Sequence, residues 1–159
     1  MDVSATADQG FSVPASPDAA FALVADVPDS VSHFPGIDGF EAAGPDAWRW
    51  TLATLGSGRL QLQTVYTCRY SRDAQARTVR WVAADAPSDN ARVEGTWTIT
   101  PEGTGTRLRL TNTLTIDVPV PRVMRRPAEA LVSHENNRLI AEYIDNLKTT
   151  LSGGDGRVR

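Results

Sequence analysis

Cysteine is almost absent from this chain. Cys68 stands alone among 159 residues, so no intramolecular disulfide can form and a packed core must hold the fold. Histidine is nearly as scarce. His33 and His134 are the only two, and with the single cysteine they offer no pair at metal-ligand spacing, so no metal site is expected. Lysine occurs once, as Lys148, and the other cationic side chains are all arginine. The net charge is -3 and the pI about 5.3. Nucleic acid and anionic membranes attract concentrated positive charge, so no nucleic-acid partner is expected. No apolar run approaches the roughly 18 to 20 residues of a membrane span, so stable membrane insertion is not expected either. Residues Met1 to Gly10 hold no basic stretch followed by an apolar one, which predicts no signal peptide and a cytoplasmic location.

Recognisable catalytic motifs are also missing. No G-x-S-x-G occurs. Ser133 and His134 are neighbours in a helical stretch and point in different directions, so they do not form a dyad. Cys68 falls in an apolar strand-like segment and reads as a small buried residue. Gly56-Ser57-Gly58 and Gly103-Thr104-Gly105 each lie between strand-like segments. They read as hairpin turns, because a phosphate loop precedes a helix. No cofactor is expected.

Apolar residues are present in ordinary measure, at 41% hydrophobic and 22% charged, which suits one globular domain. The expected domain is 1–152, with a disordered tail over 153–159. Val3 to Val13 is strand-compatible and Pro14 ends it. Ser16 as N-cap, Pro17 at the first helical position and Asp18 in the first turn predict a short helix with Phe21, Leu23 and Val24 on its apolar face. Pro28 interrupts it, and Asp29 to Phe34 forms a second short helix that Pro35-Gly36 stops. From Gly39 to Ile116 apolar and polar residues alternate. Examples are Trp48, Trp50 and Leu52, then Leu60 through Tyr70, then Val79 and Trp81, then Val93 through Ile99, then Leu108 through Ile116. Successive period-2 segments joined by short turns predict an antiparallel meander with one apolar face. After the connector Val118 to Pro127 the period becomes helical through Leu151, with Val132, Leu139, Ile140, Tyr143, Ile144 and Leu147 in one stripe.

This order predicts a cavity. A long twisted meander has one apolar face to cover, and the C-terminal helix is its only large partner. A sheet that curls around that helix leaves space between them. Trp48, Trp50, Tyr66, Trp81, Trp97 and Tyr143 fall on the apolar registers and are candidates for the lining, with Val132 and Leu139 from the helix. Asn112 interrupts the apolar face of the last strand, and Asn136 lies near the centre of the helix stripe. A buried polar group needs a partner, which is either protein, water or a ligand. Glu129 falls on the same side of the helix, and complementing the helix dipole also explains it. Arg122, Arg125 and Arg126 flank Val123 and Met124. They read either as a lid with cations for an anionic head group or as an ordinary solvated loop. His33, beside Phe34-Pro35-Gly36, reads as structural or as a residue of the pocket mouth.

Four stretches carry a family resemblance: "FSVPASPDAAFALVADV" (11–27), "FPGIDGFE" (34–41), "GTWTITPEGTGTRLRLT" (95–111) and the long closing helix. Together they resemble the START-like, Bet v 1-like superfamily, in its polyketide cyclase/dehydrase and lipid-transport branch. The resemblance spans about Val3 to Leu151. It implies an α+β helix-grip fold of about seven strands in the order β-α-α-β6-α, wrapped around the C-terminal helix. It implies three possible functions, and fold does not choose among them. The first is a non-catalytic binder or carrier of a lipid, quinone or polyketide-like compound. The second is a cyclase/dehydrase-type enzyme, with Tyr66, Arg69, Asn112, Asn136 and Tyr143 as candidates, although Arg69 sits on the register opposite Tyr66. The third is a protein-interaction module with a filled core.

Overall fold

A strand of twelve residues, β1 (Asp2–Val13), opens the chain, with Val3, Ala5, Ala7, Phe11 and Val13 buried. A computed structural model of the protein describes residues 1–58 and 60–158. Two short helices follow, α1 (Pro17–Ala25) and α2 (Val27–Val31). The Ser16 side chain accepts from the Ala19 N–H at 3.1 Å, and Asp26 caps α2 by accepting from the Asp29 N–H at 3.2 Å. Pro28, expected from the sequence to interrupt, sits instead in the first turn of α2. A missing N–H costs nothing there, so this helix begins at Val27 and not at Asp29.

The strands then run β2 (Ile37–Ala42), β3 (Ala47–Leu52), β4 (Leu55–Ser57), β5 (Leu60–Leu62), β6 (Val65–Asp73), β7 (Thr78–Ala83), β8 (Ala91–Glu102) and β9 (Gly105–Asp117). Seven of them form one antiparallel sheet, as expected, and its order is β1-β9-β8-β7-β6-β3-β2. β4 and β5 pair only with each other, in a separate hairpin that the alternation does not predict. Alternation runs unbroken from Leu60 to Tyr70, yet pairing stops at Gln63 and Thr64. There the Asn90 side chain intervenes, accepting from the Val65 N–H at 2.8 Å and donating to the Gln63 carbonyl at 2.7 Å. Asp89 anchors the same place, accepting from the Thr67 N–H at 2.9 Å and from the Ala86 N–H at 3.1 Å. The polar loop before β8 thus holds the start of β6.

The chain then passes through a 3-10 turn (Arg122–Met124) into α3 (Arg125–Leu151), a helix of 27 residues. At 1.5 Å per residue it is about 40 Å long. Its buried stripe is Val132, Leu139, Ile140, Tyr143, Ile144, Leu147 and Leu151. Helix α3 starts three residues earlier than expected, because Pro127 is accommodated in its first turn. The tail is expected from its sequence to lack structure, but residues 153–158 fold back along α2; position 159 lies outside the described residues. Gly153, at φ 97, turns the chain out of α3. The Val158 N–H donates to the Ser32 carbonyl at 2.7 Å, and the Arg157 guanidinium pairs with Asp29 at 3.0 Å.

Candidate functional site: a cavity between sheet and helix

The inner face of the sheet, α2 and α3 enclose a cavity with about 90 Å³ open to the centres of water-sized molecules. The aromatic wall comes mainly from the strands. Trp50 (β3), Tyr66 and Tyr70 (β6), Trp81 (β7) and Trp97 (β8) all line it. Trp50 stacks on Tyr66 with ring centroids 5.4 Å apart, and Phe34 meets Trp50 edge-on at 5.5 Å. Such offset and edge contacts fix ring positions as well as burying area. From the opposite side α3 contributes Val132, Asn136, Leu139 and Tyr143, and Asn112 reaches in from β9.

Of the ten residues proposed as lining from sequence, nine stand on the wall, and Trp48 does not. It is half-buried and stacks face to face on Phe40 of β2, at 4.8 Å and 7°. Trp48 and Trp50 share a register, but Trp48 lies beyond the cavity. Sequence reasoning missed Ser30 and Phe34 from α2 and the turn after it, Tyr70 from β6 and Glu135 from α3. Tyr70 shares its register with Tyr66 and was within reach of the periodicity argument. Ser30 and Phe34 were not, because a five-residue helix shows no period.

Several polar groups of the wall are already paired. The Trp81 indole N–H donates to Asn112 Oδ1 at 2.9 Å. That bond depends on Gly95, which pairs with Trp81 across β7 and β8 and with Asn112 across β8 and β9. A Cβ at Gly95 would stand 2.6 Å from the Trp81 ring and 2.2 Å from the Thr111 carbonyl oxygen. Glycine there lets the indole lie across the strand. The Tyr143 hydroxyl and Ser30 Oγ share a hydrogen bond of 2.5 Å, which ties α3 to α2. Among the described residues two buried donors have no hydrogen-bond partner, Trp50 Nε1 and Asn136 Nδ2. The Tyr70 hydroxyl is close enough to Trp50 to feel its N–H, but no bond of normal geometry joins them.

Burial raises the phenols of Tyr66 and Tyr70 well above the ordinary tyrosine value and raises Tyr143 to about 12, with the Ser30 bond opposing the last shift. All three are neutral hydroxyls at physiological pH. Glu135 is the one carboxylate on the wall among the described residues. Its bond to the Arg138 guanidinium holds it below the usual carboxylate range.

The remaining candidates lie elsewhere. Arg69 is exposed and off the cavity wall, so it cannot act with Tyr66. Glu129 pairs with Arg125 at 3.4 Å outside the cavity. His33 is 0% exposed and structural: its Nδ1 donates to the Asp29 carbonyl at 2.8 Å, and its Nε2 meets Thr150 Oγ1 at 2.7 Å. His134 is exposed. Arg122, Arg125 and Arg126 are exposed around the start of α3, beside Val123 at 83% exposure. Next to them a second, outer cavity of about 170 Å³ lies between the β4–β5 hairpin, Val118–Val120 and the first turns of α3. Leu55, Leu62 and Val132 wall both cavities, so these side chains form the partition between the inner space and the outer one. Among the described residues no three His, Cys, Asp or Glu side chains cluster as a metal site would require, and no helix is long and apolar enough to cross a membrane.

A seven-stranded antiparallel sheet gripping one long C-terminal helix, with a cavity between them, defines the START-like helix-grip class. Residues 3–152 match the model of the polyketide cyclase / dehydrase and lipid transport family, and the chain belongs to that family. Solved structures agree on the fold. The START superfamily protein from Mycobacterium smegmatis superposes with a TM-score of 0.65 at 17% identity, covering 92% of this chain and 99% of that one. The Zhui aromatase/cyclase from Streptomyces sp. R1128 gives 0.60 at 16%, covering 95% and 99%. The protein TTHA0849 from Thermus thermophilus gives 0.61 at 22%, covering 91% and 96%. No curated protein sequence matches the chain.

Proposed function

We propose that the protein binds a hydrophobic small molecule, such as a lipid, quinone or polyketide-like compound, in the inner cavity, and that it does so without catalysis. The observation that carries this reading is the composition of the wall: aliphatic and aromatic side chains around a small number of fixed polar groups, the usual make-up of a small-molecule site. Membership of a family of cyclases and lipid carriers supports ligand binding in general. The protonation states favour a binder over an enzyme. A general base works best with a pKa near the operating pH. The phenols here are displaced upwards by burial, and Glu135 is displaced downwards by Arg138. Leu55, Leu62 and Val132 wall both cavities, so a ligand passing from the outer to the inner one would cross between these side chains.

A second reading, a cyclase/dehydrase-type enzyme, is favoured by the fold shared with the Streptomyces aromatase/cyclase. Its remaining candidate residues are Tyr66, Asn112, Asn136 and Tyr143, acting as neutral hydrogen-bond donors that polarise a carbonyl. Native mass spectrometry of protein purified from its own host, followed by denaturing extraction, tests the binding reading. The expected result is a stoichiometric apolar adduct released unchanged on denaturation. A released compound that differs chemically from the one supplied would move the protein to the enzyme reading. No adduct, together with no saturable binding of an apolar probe, would end both.

A further inference from the structure

Two side chains that line the cavity carry buried donors without a partner, and these specify what kind of ligand the cavity takes. Trp50 is 7% exposed, its Nε1 is fully sequestered from solvent, and it is held by rings on three sides: Tyr66 stacked at 5.4 Å, Phe34 edge-on at 5.5 Å and Phe40 edge-on at 5.4 Å. Asn136 Nδ2 is equally sequestered, on the opposite wall, beside the buried stripe of α3. The other polar atoms that the wall shows bonded have taken each other as partners, Trp81 with Asn112 and Tyr143 with Ser30. An indole N–H can only donate, and so can an amide NH₂. Both therefore need an acceptor, and buried donors without one are rare in native proteins.

Charge narrows the choice. Among the described residues no Arg, Lys or His lines the inner cavity. The one charged side chain those residues place on its wall is an anion, Glu135, which has its own cation in Arg138. A ligand carboxylate or phosphate would be desolvated there with no counter-charge and a negative group close by, which is costly in an apolar site. A pure hydrocarbon would leave both donors unpaired. What fits is an uncharged oxygen acceptor on an apolar body.

We infer that Trp50 and Asn136 are the specificity-determining residues of the cavity, and that they select neutral carbonyl-bearing apolar ligands over both anions and hydrocarbons of the same size. This rests on the reading of the cavity as a binding site.

Three probes of matched size separate the two ideas: acetophenone, ethylbenzene and benzoate, each titrated into ¹⁵N-labelled protein. The expected order is acetophenone tightest, ethylbenzene weaker and benzoate weakest. The Trp50 indole N–H resonance, assigned by its loss in Trp50→Phe, should move further downfield with acetophenone than with ethylbenzene. A net hydrogen bond of ordinary strength corresponds to roughly 3- to 10-fold in affinity. Trp50→Phe and Asn136→Leu should therefore each weaken acetophenone by about that factor and leave ethylbenzene unchanged or tighter. Asn136→Leu should melt no lower than the parent protein, since it removes a donor that has no partner in the free protein, and so keeps the test usable if Trp50→Phe folds poorly. Equal affinity for acetophenone and ethylbenzene, or variants that weaken both equally, would overturn the assignment of the two donors while leaving a binding cavity standing. Benzoate binding as tightly as acetophenone would overturn the selection against anions. Failure of all three probes to bind would overturn the cavity reading and this inference together.

Discussion

Gly95 carries more of the cavity's geometry than its size suggests. Because it has no Cβ, the Trp81 indole can cross β8 and reach Asn112. Gly95→Ala would force Trp81 and the local backbone apart. Overpacking of this kind typically costs about 1–3 kcal/mol, so chemical denaturation should show a loss in that range and should be accompanied by an altered near-ultraviolet tryptophan signal. An unchanged midpoint would show that the strand absorbs the methyl group. Cys68 makes a prediction with a direction in pH. Burial first, and the Asp89 carboxylate second, raise its thiol from an ordinary 9.0 to about 12. The folded state therefore keeps a proton that the unfolded chain gives up. Below about pH 9 this contribution to stability is fully present, and it is lost as pH rises from there towards 12. Tyr143, raised from 10.0 to about 12, adds to the same decline. Urea midpoints measured from about pH 8 to 11 should fall steadily above about pH 9, and the thiol should resist disulfide reagents at about pH 8 until the protein unfolds. A flat profile would mean that the thiol and phenol are not desolvated as described. Residue by residue, the sequence predicts side-chain direction well and position along a strand poorly. Alternation places Trp48 and Trp50 on one face, but does not say how far along β3 the cavity reaches: Trp50 lines it, whereas Trp48 stacks on Phe40 beyond it.

At the level of elements, the short helix α2 and the end of α3 are bound into one unit by polar contacts that no periodicity reveals. The His33 ring bridges them, from the Asp29 carbonyl to Thr150 Oγ1, and that same hydroxyl accepts the Gly156 N–H at 2.9 Å. Asn146 Nδ2 adds a bond to the His33 carbonyl at 2.9 Å. Nδ1 donates to the carbonyl, and Nε2 shares the second bond with the Thr150 hydroxyl. Thr150→Val keeps the shape and removes the hydroxyl, leaving both the buried ring nitrogen and the Gly156 N–H without a partner. A buried group stripped of its bond costs about 1–3 kcal/mol, and urea unfolding should register it, whereas no loss would show that water replaces the hydroxyl. The long elements are legible because their signal repeats: five strands of the sheet by period 2, α3 by period 3.6. The β4–β5 hairpin is not, since three-residue strands carry too few repeats, and since Leu60 to Tyr70 keeps its alternation straight through the break that Asn90 and Asp89 impose. The glycines and charges of the tail suggest disorder. Its order comes from tertiary partners, Asp29 and Ser32, which stand 128 and 126 residues before Arg157 and Val158 in sequence.

On the scale of the whole molecule, α3 packs on β1 and leaves a small apolar space against the inner face of the other strands, with several of its polar groups paired. The cavity is foreseeable from the order of elements, because one helix must cover a long meander. The two orphaned donors are only half visible: Asn136 stands out as a polar residue in an apolar stripe, but nothing in the sequence separates the Trp50 N–H, which is unpaired, from the Trp81 N–H, which Asn112 satisfies. The partition between the inner and outer cavities provides the most direct test of the central claim, that the inner space is a ligand site. Val132 faces both, and Val132→Phe would fill the inner one from the helix side. The measurement is calorimetric titration of ethylbenzene into the parent protein and into Val132→Phe, with circular dichroism to confirm that the variant is folded. The account predicts saturable binding of one molecule per chain to the parent and none to the folded variant. Equal binding to both would place the ligand elsewhere and contradict it.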